Sequence, residues 1–215
     1  MKKLLTLLCF SLVTLPFLAN AIEFNDGEQY YSIKPTPTLN TGEEVELVEF
    51  FWYGCPHCYH FNKPLEAWLK TKKPANVTFQ PVPVIFPGNP ATTLHAETFY
   101  ALELMGERKR MHSIIFAKMH KERKNLNKLK DIKKLLKENG IDTDKFEKVM
   151  KSFAVQSKVR RSTVLARRYG VNGVPSLIVD GRYRSGGGMK TYDEMMELVT
   201  FLNTKVLAER PKIDD

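Results

Sequence analysis

The chain has 215 residues, with 33 lysines and arginines against 24 aspartates and glutamates, which gives a formal net charge of +9. A chain of this length buries a sizeable core without cross-links, and its three cysteines are too few for a disulfide-stapled scaffold. The basic side chains are spread along helical segments that keep an apolar stripe. We interpret them as solvated helix faces and expect no nucleic-acid binding.

The first 21 residues have the three parts of a secretory signal peptide. Lys2 and Lys3 precede an apolar run over residues 4–18, and Ala19-Asn20-Ala21 follows with the small-x-small pattern of a cleavage site. The alternative is an uncleaved membrane anchor, but the run is shorter than the roughly 20 residues of a spanning helix, and Pro16 interrupts it. We therefore expect cleavage after Ala21 and export of the chain.

The first part of the mature chain has the pattern strand, helix, strand. A near-continuous apolar run predicts a buried central strand over 45–53, and apolar residues at helical spacing follow from Pro56. Alternation over 77–86 predicts a second strand, which its prolines place at a sheet edge or a strand end.

A helical section follows. We expect amphipathic helices over 91–105, 108–122, 126–139 and 143–153, and a further helix over 158–169. Strand character returns over 175–179, and Asp180-Gly181 predicts a hairpin to a strand at 182–184. Thr191 to Glu194 has the capping-box pattern that opens a last helix.

Cys55 and Cys58 are the two cysteines left once Cys9 is removed with the signal peptide. A bridge across two residues closes almost no loop, so it restricts the unfolded chain very little and is a poor staple. Reactivity explains the pair better. Because Cys55 stands where the strand ends and the helix begins, unpaired N–H groups and the helix dipole favour its thiolate and lower its pKa.

The neighbouring residues support this chemistry. Pro56 suits the first helical turn, where its missing N–H has no partner to lose, and a protonated His57 adds positive charge near the sulfur. Cys58, one turn in, is expected to be more buried and less acidic. Stabilising the Cys55 thiolate stabilises the reduced pair, so the disulfide becomes a stronger oxidant. We therefore predict a pair that is oxidised at rest and passes its disulfide on through a mixed disulfide, with no other cofactor.

The stretch FFWYGCPHCYHF, together with Gly173-Val174-Pro175, resembles the DsbA family of periplasmic thiol–disulfide oxidoreductases. The resemblance covers the whole mature chain. It implies the periplasm as location and an α/β, thioredoxin-like fold with an inserted helical domain. On that basis we expect residues 22–85 and 163–215 to form the thioredoxin-like domain, and residues 86–162 to form the insert.

The resemblance also implies roles for single residues. Cys55 corresponds to the nucleophilic cysteine and Cys58 to the resolving one. Pro175 corresponds to a cis-proline that faces the disulfide, and Val174 to the residue whose backbone binds a substrate peptide.

Glu49 corresponds to a buried glutamate that helps proton transfer at Cys58. An acid in an apolar strand is costly unless it has a role or a partner, which agrees with this placing. The family's best-known member pairs that glutamate with a lysine. Here the counterpart falls near Pro81, so we expect the pair to be absent.

The partners follow from the same resemblance. We expect newly exported, unfolded cysteine-containing proteins as substrates, a DsbB-like membrane quinone reductase as the reoxidant, and a monomer. Two other functions on this fold stay open: a disulfide isomerase or reductase, and a peptide-binding chaperone. Isomerases of this compartment need a dimerisation domain ahead of the first strand, and residues 22–41 are too few for one.

A metal site is a further alternative, with Cys55, Cys58 and His60 as ligands. No second cysteine pair exists to complete it. His95, His112 and His120 fall on the helical section with no shared spacing, and we expect them to be surface or partly packed residues. We therefore expect no metal.

Overall fold

The computed structural model describes residues 23–34 and 42–211, so the expected signal peptide lies outside the described residues. The strands are β1 (Tyr30–Ser32), β2 (Val45–Phe51), β3 (Val77–Pro83), β4 (Ser176–Val179) and β5 (Tyr183–Ser185). The helices are α1 (Pro56–Thr71), α2 (Pro90–Leu104), α3 (Arg108–His120), α4 (Leu129–Glu138), α5 (Thr143–Met150), α6 (Phe153–Arg168) and α7 (Tyr192–Glu209). Among these residues no helix is both long and apolar enough to cross a membrane.

The sheet has the strand order β1-β5-β4-β2-β3, with β2 in the interior as its apolar run predicts. All residues of β2 except Glu46 are buried, because β3 pairs with it in parallel and β4 in antiparallel orientation while helices cover the faces. β3 is an edge strand, which agrees with its prolines. In the β2–β3 register Glu49 lies opposite Pro81.

β1 has no counterpart among the predicted elements. It is three residues long and pairs antiparallel with β5, with Tyr30 opposite Ser185. Just after β5, the N–H of Gly186 donates to the carbonyl of Gln29 at 2.7 Å. A Cβ at position 186 would lie 2.2 Å from the carbonyl oxygen of Glu28, so only glycine allows this close approach of the two chains.

The helical section is built around α2, which contacts α3, α5 and α6. The expectation that every helix here is amphipathic is wrong for α2, because neighbours on several sides bury nine of its fifteen residues. The expected helix over 158–169 begins earlier, at Phe153, since the side chain of Ser152 accepts a hydrogen bond from the N–H of Val155 and caps it. The expected boundary between residues 162 and 163 therefore falls inside α6.

Arg210 ties the end of α7 to the start of β2. Its guanidinium donates to the carbonyls of Gly42 and Glu44, the latter at 2.8 Å, and pairs with Asp180 at 3.0 Å. The two side chains of the pair are only 6% and 9% exposed.

Arg210→Met is expected to lower the free energy of unfolding by about 3 kcal/mol, because it removes the ion-pair partner of the buried Asp180 carboxylate and the donor to the Glu44 carbonyl. Urea denaturation measures this, with Arg167→Met on the exposed face of α6 as the control. A loss no larger than that of the control would show that Arg210 contributes nothing through its buried contacts.

Candidate active site

Cys55 is the N-cap of α1, and Pro56 stands at the first helical position. As the N-cap it places its sulfur near the free N–H groups of the first turn, and although the sulfur makes no capping hydrogen bond of full geometry, the N–H groups of Cys58 and His57 contribute to lowering its pKa. Both cysteines are free thiols here, so the structure describes the reduced pair. Cys55 is 8% exposed and Cys58 is fully buried, while Pro56 and His57 lie on the surface.

The two sulfurs differ sharply in acidity. The hydrogen bond from the Cys58 thiol, then the backbone N–H groups of Cys58 and His57 and the charge of His57, lower the pKa of Cys55 to about 6, against the opposing effect of burial. Burial raises the pKa of Cys58, and its interactions with Cys55 and Glu49 raise it further. At neutral pH the pair is therefore one thiolate and one thiol, with the thiolate on the less deeply buried of the two sulfurs.

The loop before β4 meets Cys55 although it lies 119 residues further along the chain. The Val174–Pro175 peptide bond is cis, and the Cys55 thiol lies 3.3 Å from the carbonyl oxygen of Val174. A surface cavity of about 410 Å³ borders Val174 and Pro175 on the side of β5. Cys55, Val174 and Pro175 thus lie beside one another, where the loop before β4 meets the N-terminus of α1.

Glu49 lies on β2 and is 3% exposed. Burial raises the pKa of its carboxyl to about 8. Among the residues that the structure describes, none donates a hydrogen bond to the carboxyl or forms an ion pair with it, and Pro81 lies opposite it on β3. The carboxyl borders a cavity of about 510 Å³, which also touches Leu65, Phe79 and His112.

Sequence reasoning missed how the helical section holds the residues just before Cys55. His95 was expected to be a surface or partly packed residue, and that is wrong, because it is 1% exposed. Its Nδ1 accepts a hydrogen bond from the Trp52 indole at 3.0 Å. His112 and His120 are partly packed, as expected, and both hydrogen-bond to Tyr53.

One signal of this burial was present in the sequence. The residues around His95 in α2 are small or apolar on several sides, which a surface histidine would not require.

Within the described ranges, no group of three or more histidines, cysteines and carboxylates is placed to hold a metal ion.

Comparisons with known proteins agree with this geometry. Residues 46–199 match the model of the DSBA-like thioredoxin domain. The thiol:disulfide interchange protein DsbA of Pseudomonas aeruginosa is 35% identical over 199 residues, which are 90% of this chain and 91% of the relative. The Burkholderia cepacia protein of the same name is 37% identical over 189 residues, 86% of this chain and 88% of the relative.

Solved structures give the same result. The crystal structure of Pseudomonas aeruginosa DsbA superimposes with a TM-score of 0.78 at 33% identity and covers 86% of this chain and 95% of the solved one. The oxidoreductase DsbA of Xylella fastidiosa gives a TM-score of 0.75 at 25% identity, with 86% and 98% covered. The thioredoxin-like fold with its helical insert, the cysteine pair and these relatives together show that the chain belongs to the DsbA family.

Proposed function

We propose that the chain is a thiol:disulfide oxidoreductase that donates the Cys55–Cys58 disulfide to newly exported proteins. The observation that carries this proposal is the position of Cys55 at the N-terminus of α1, where hydrogen bonds lower its pKa to about 6. A stabilised thiolate makes Cys55 a good leaving group and makes the reduced pair the favoured product.

The reaction proceeds in two exchanges. A substrate thiolate attacks the Cys55 sulfur, which breaks the Cys55–Cys58 bond and forms a mixed disulfide, while Cys58 takes up a proton. A second substrate thiolate then attacks the substrate sulfur of that mixed disulfide, and the Cys55 thiolate leaves. The substrate loses two electrons and the pair gains them, with Cys55 as the nucleophile of the reverse reaction and Cys58 as the resolving cysteine.

The surroundings of the pair receive further roles in this proposal. Val174 and Pro175 bind the substrate backbone beside the sulfur, His57 contributes positive charge, and Glu49 exchanges the proton of Cys58. Its position beside a cavity gives this carboxyl a route for that proton, and a pKa of about 8 suits exchange near neutral pH.

The proposal places the protein in the periplasm as a monomer that needs no cofactor besides its own disulfide. A DsbB-like membrane quinone reductase restores the disulfide, taking the two electrons from the pair to quinone. The family resemblance and the secretory pattern of residues 1–21 support this setting.

The equilibrium of the pair with glutathione tests the proposal. We expect a reduction potential more positive than about −180 mV, the value of protein disulfide isomerase. A reduction potential of about −270 mV, as in thioredoxin, would make the chain a reductant and contradict the proposal.

The pH dependence of that equilibrium tests its cause. Below pH 6 the protein and glutathione each take up two protons on reduction, so the equilibrium constant is flat. Above pH 6 Cys55 stays ionised, so the constant for glutathione oxidation rises, by about fifty-fold between pH 6 and 8. A constant that stays flat to pH 8 would show that Cys55 ionises like an ordinary thiol.

A further inference from the structure

Trp52 joins the active-site turn to the rest of the molecule. Its carbonyl accepts a hydrogen bond from the N–H of Cys55 at 3.0 Å. Its indole lies against the backbone of Gly54, where a Cβ would come within 2.3 Å of the ring. A movement of Trp52 is therefore transmitted to Gly54 and Cys55.

His95 lies on α2 of the helical section, which is the insert of this fold, and it binds the ring nitrogen of that indole. The Leu126 carbonyl lies 3.2 Å from Nε2 of His95, and because a carbonyl only accepts, Nε2 carries the proton. Nδ1 then has a free lone pair, and the Trp52 indole N–H donates to it at 3.0 Å. Burial lowers the pKa of His95 to about 4, so this neutral tautomer persists at neutral pH.

Tyr53, the next residue along the chain, is held by α3 of the same insert. Its hydroxyl hydrogen-bonds to Nδ1 of His112 at 3.0 Å, and its carbonyl accepts from Nε2 of His120 at 2.8 Å. Three histidines of the insert thus contact the two residues from which the active-site turn starts. His95 differs from the other two because its partner Trp52 accepts a hydrogen bond from the backbone of Cys55.

We infer that His95 is a positioning residue of the redox reaction, which fixes the Trp52 indole and through it the Cys55 sulfur at the N-terminus of α1. This inference rests on the proposed function for its consequence, but not for its geometry. Without the bond, the turn from Trp52 to Cys55 gains freedom and the sulfur leaves the N–H groups of α1 for part of the time. The thiolate is then less stabilised and the disulfide is a weaker oxidant.

Two substitutions of His95 separate positioning from packing. His95→Asn keeps an acceptor near Nδ1 for the Trp52 indole, and His95→Gln keeps a donor near Nε2 for the Leu126 carbonyl. Trp52→Phe removes the indole N–H and leaves His95 in place. For each variant, ultraviolet absorbance of the thiolate gives the Cys55 pKa in the reduced protein, and glutathione gives the redox equilibrium.

We expect His95→Asn to keep the wild-type Cys55 pKa and equilibrium constant even if it unfolds at a lower temperature. We expect His95→Gln and Trp52→Phe to raise the pKa and to lower the constant for glutathione oxidation about fivefold, which is the effect of one buried hydrogen bond. Because both remove the same bond, the double variant His95→Gln/Trp52→Phe should show no further change.

Equal Cys55 pKa values in wild type, His95→Gln and Trp52→Phe would overturn the inference and leave His95 a purely structural residue. A shift of the Cys55 pKa in His95→Asn as large as that in His95→Gln would overturn it too. If His95→Gln does not fold, Trp52→Phe tests the same bond alone. The Cys55 pKa is measured on the reduced chain without any substrate. A reducing potential together with the expected pKa differences would therefore reject the proposed function and keep the role of His95.

Discussion

Cys55→Ser is expected to lose disulfide transfer, to below about a thousandth of the wild-type rate. A serine hydroxyl does not ionise at neutral pH and forms no disulfide, and the remaining Cys58 is fully buried with a pKa that burial raises. Both proteins are treated with the same oxidant, and the measurement is the rate at which each then forms the disulfide in a reduced peptide with two cysteines, followed by mass or by fluorescence.

Cys58→Ser is the matched control. It keeps the nucleophile and a hydroxyl that donates to the Cys55 sulfur, so the thiolate should persist. Offered a small disulfide reagent, this variant should form a mixed disulfide rapidly and keep it, because no second thiol resolves it. Cys55→Ser should form none under the same conditions.

Two results would contradict this assignment. If Cys55→Ser traps the reagent through Cys58, the roles of the two sulfurs are reversed. If a host that carries Cys55→Ser still makes its exported proteins with their normal disulfides, thiol chemistry is not the function, and peptide binding becomes the better explanation.

The parts of the site that the sequence predicts are those with short-range causes. The apolar run of β2, the helical spacing after Pro56 and the position of Cys55 between them fix the strand, the helix and the N-cap sulfur within a dozen residues. The lowered pKa has its causes in that junction, since the Cys58 thiol, the N–H groups of Cys58 and His57 and the charge of His57 all belong to the first turn of the same helix.

The parts that the sequence does not predict depend on partners far along the chain. The Trp52–His95 bond joins residues 43 positions apart, and nothing near His95 indicates which group it will meet. β1 is a strand because β5 pairs with it, and three residues have no periodicity of their own. The early start of α6 is a different case. Ser152 is a local N-cap signal in the sequence, but the expected helix start was placed from the spacing of apolar residues instead.

Glu49→Gln is expected to raise the free energy of unfolding of the reduced chain by about 3 kcal/mol at pH 7 and to leave it nearly unchanged at pH 4.5. The carboxyl is 3% exposed, and burial raises its pKa from the ordinary 4.5 to about 8. Glutamine has the shape of the protonated acid, so the variant keeps the native packing and loses only the titration. The substitution removes the free-energy cost of keeping a buried, ionisable acid at a position opposite Pro81.

The sign follows from where the two states ionise. Below pH 4.5 the folded and unfolded chains both hold the proton, and Glu49 has no effect on stability. Between pH 4.5 and 8 the unfolded chain loses the proton while the folded chain keeps it, so the wild type loses about 1.4 kcal/mol per pH unit relative to the variant. Above pH 8 both states are ionised and the difference levels off.

Urea denaturation of both reduced proteins across this range measures the difference, and Glu43→Gln at the surface is the control. The control should follow the wild type at every pH. If Glu49→Gln also follows it, Glu49 has its ordinary pKa in the folded protein. A carboxyl that is charged throughout the neutral range does not hold a proton that it can exchange with Cys58. A widening difference that starts near pH 4.5 and ends near pH 8 instead shows a neutral acid at pH 7, held ready to exchange that proton.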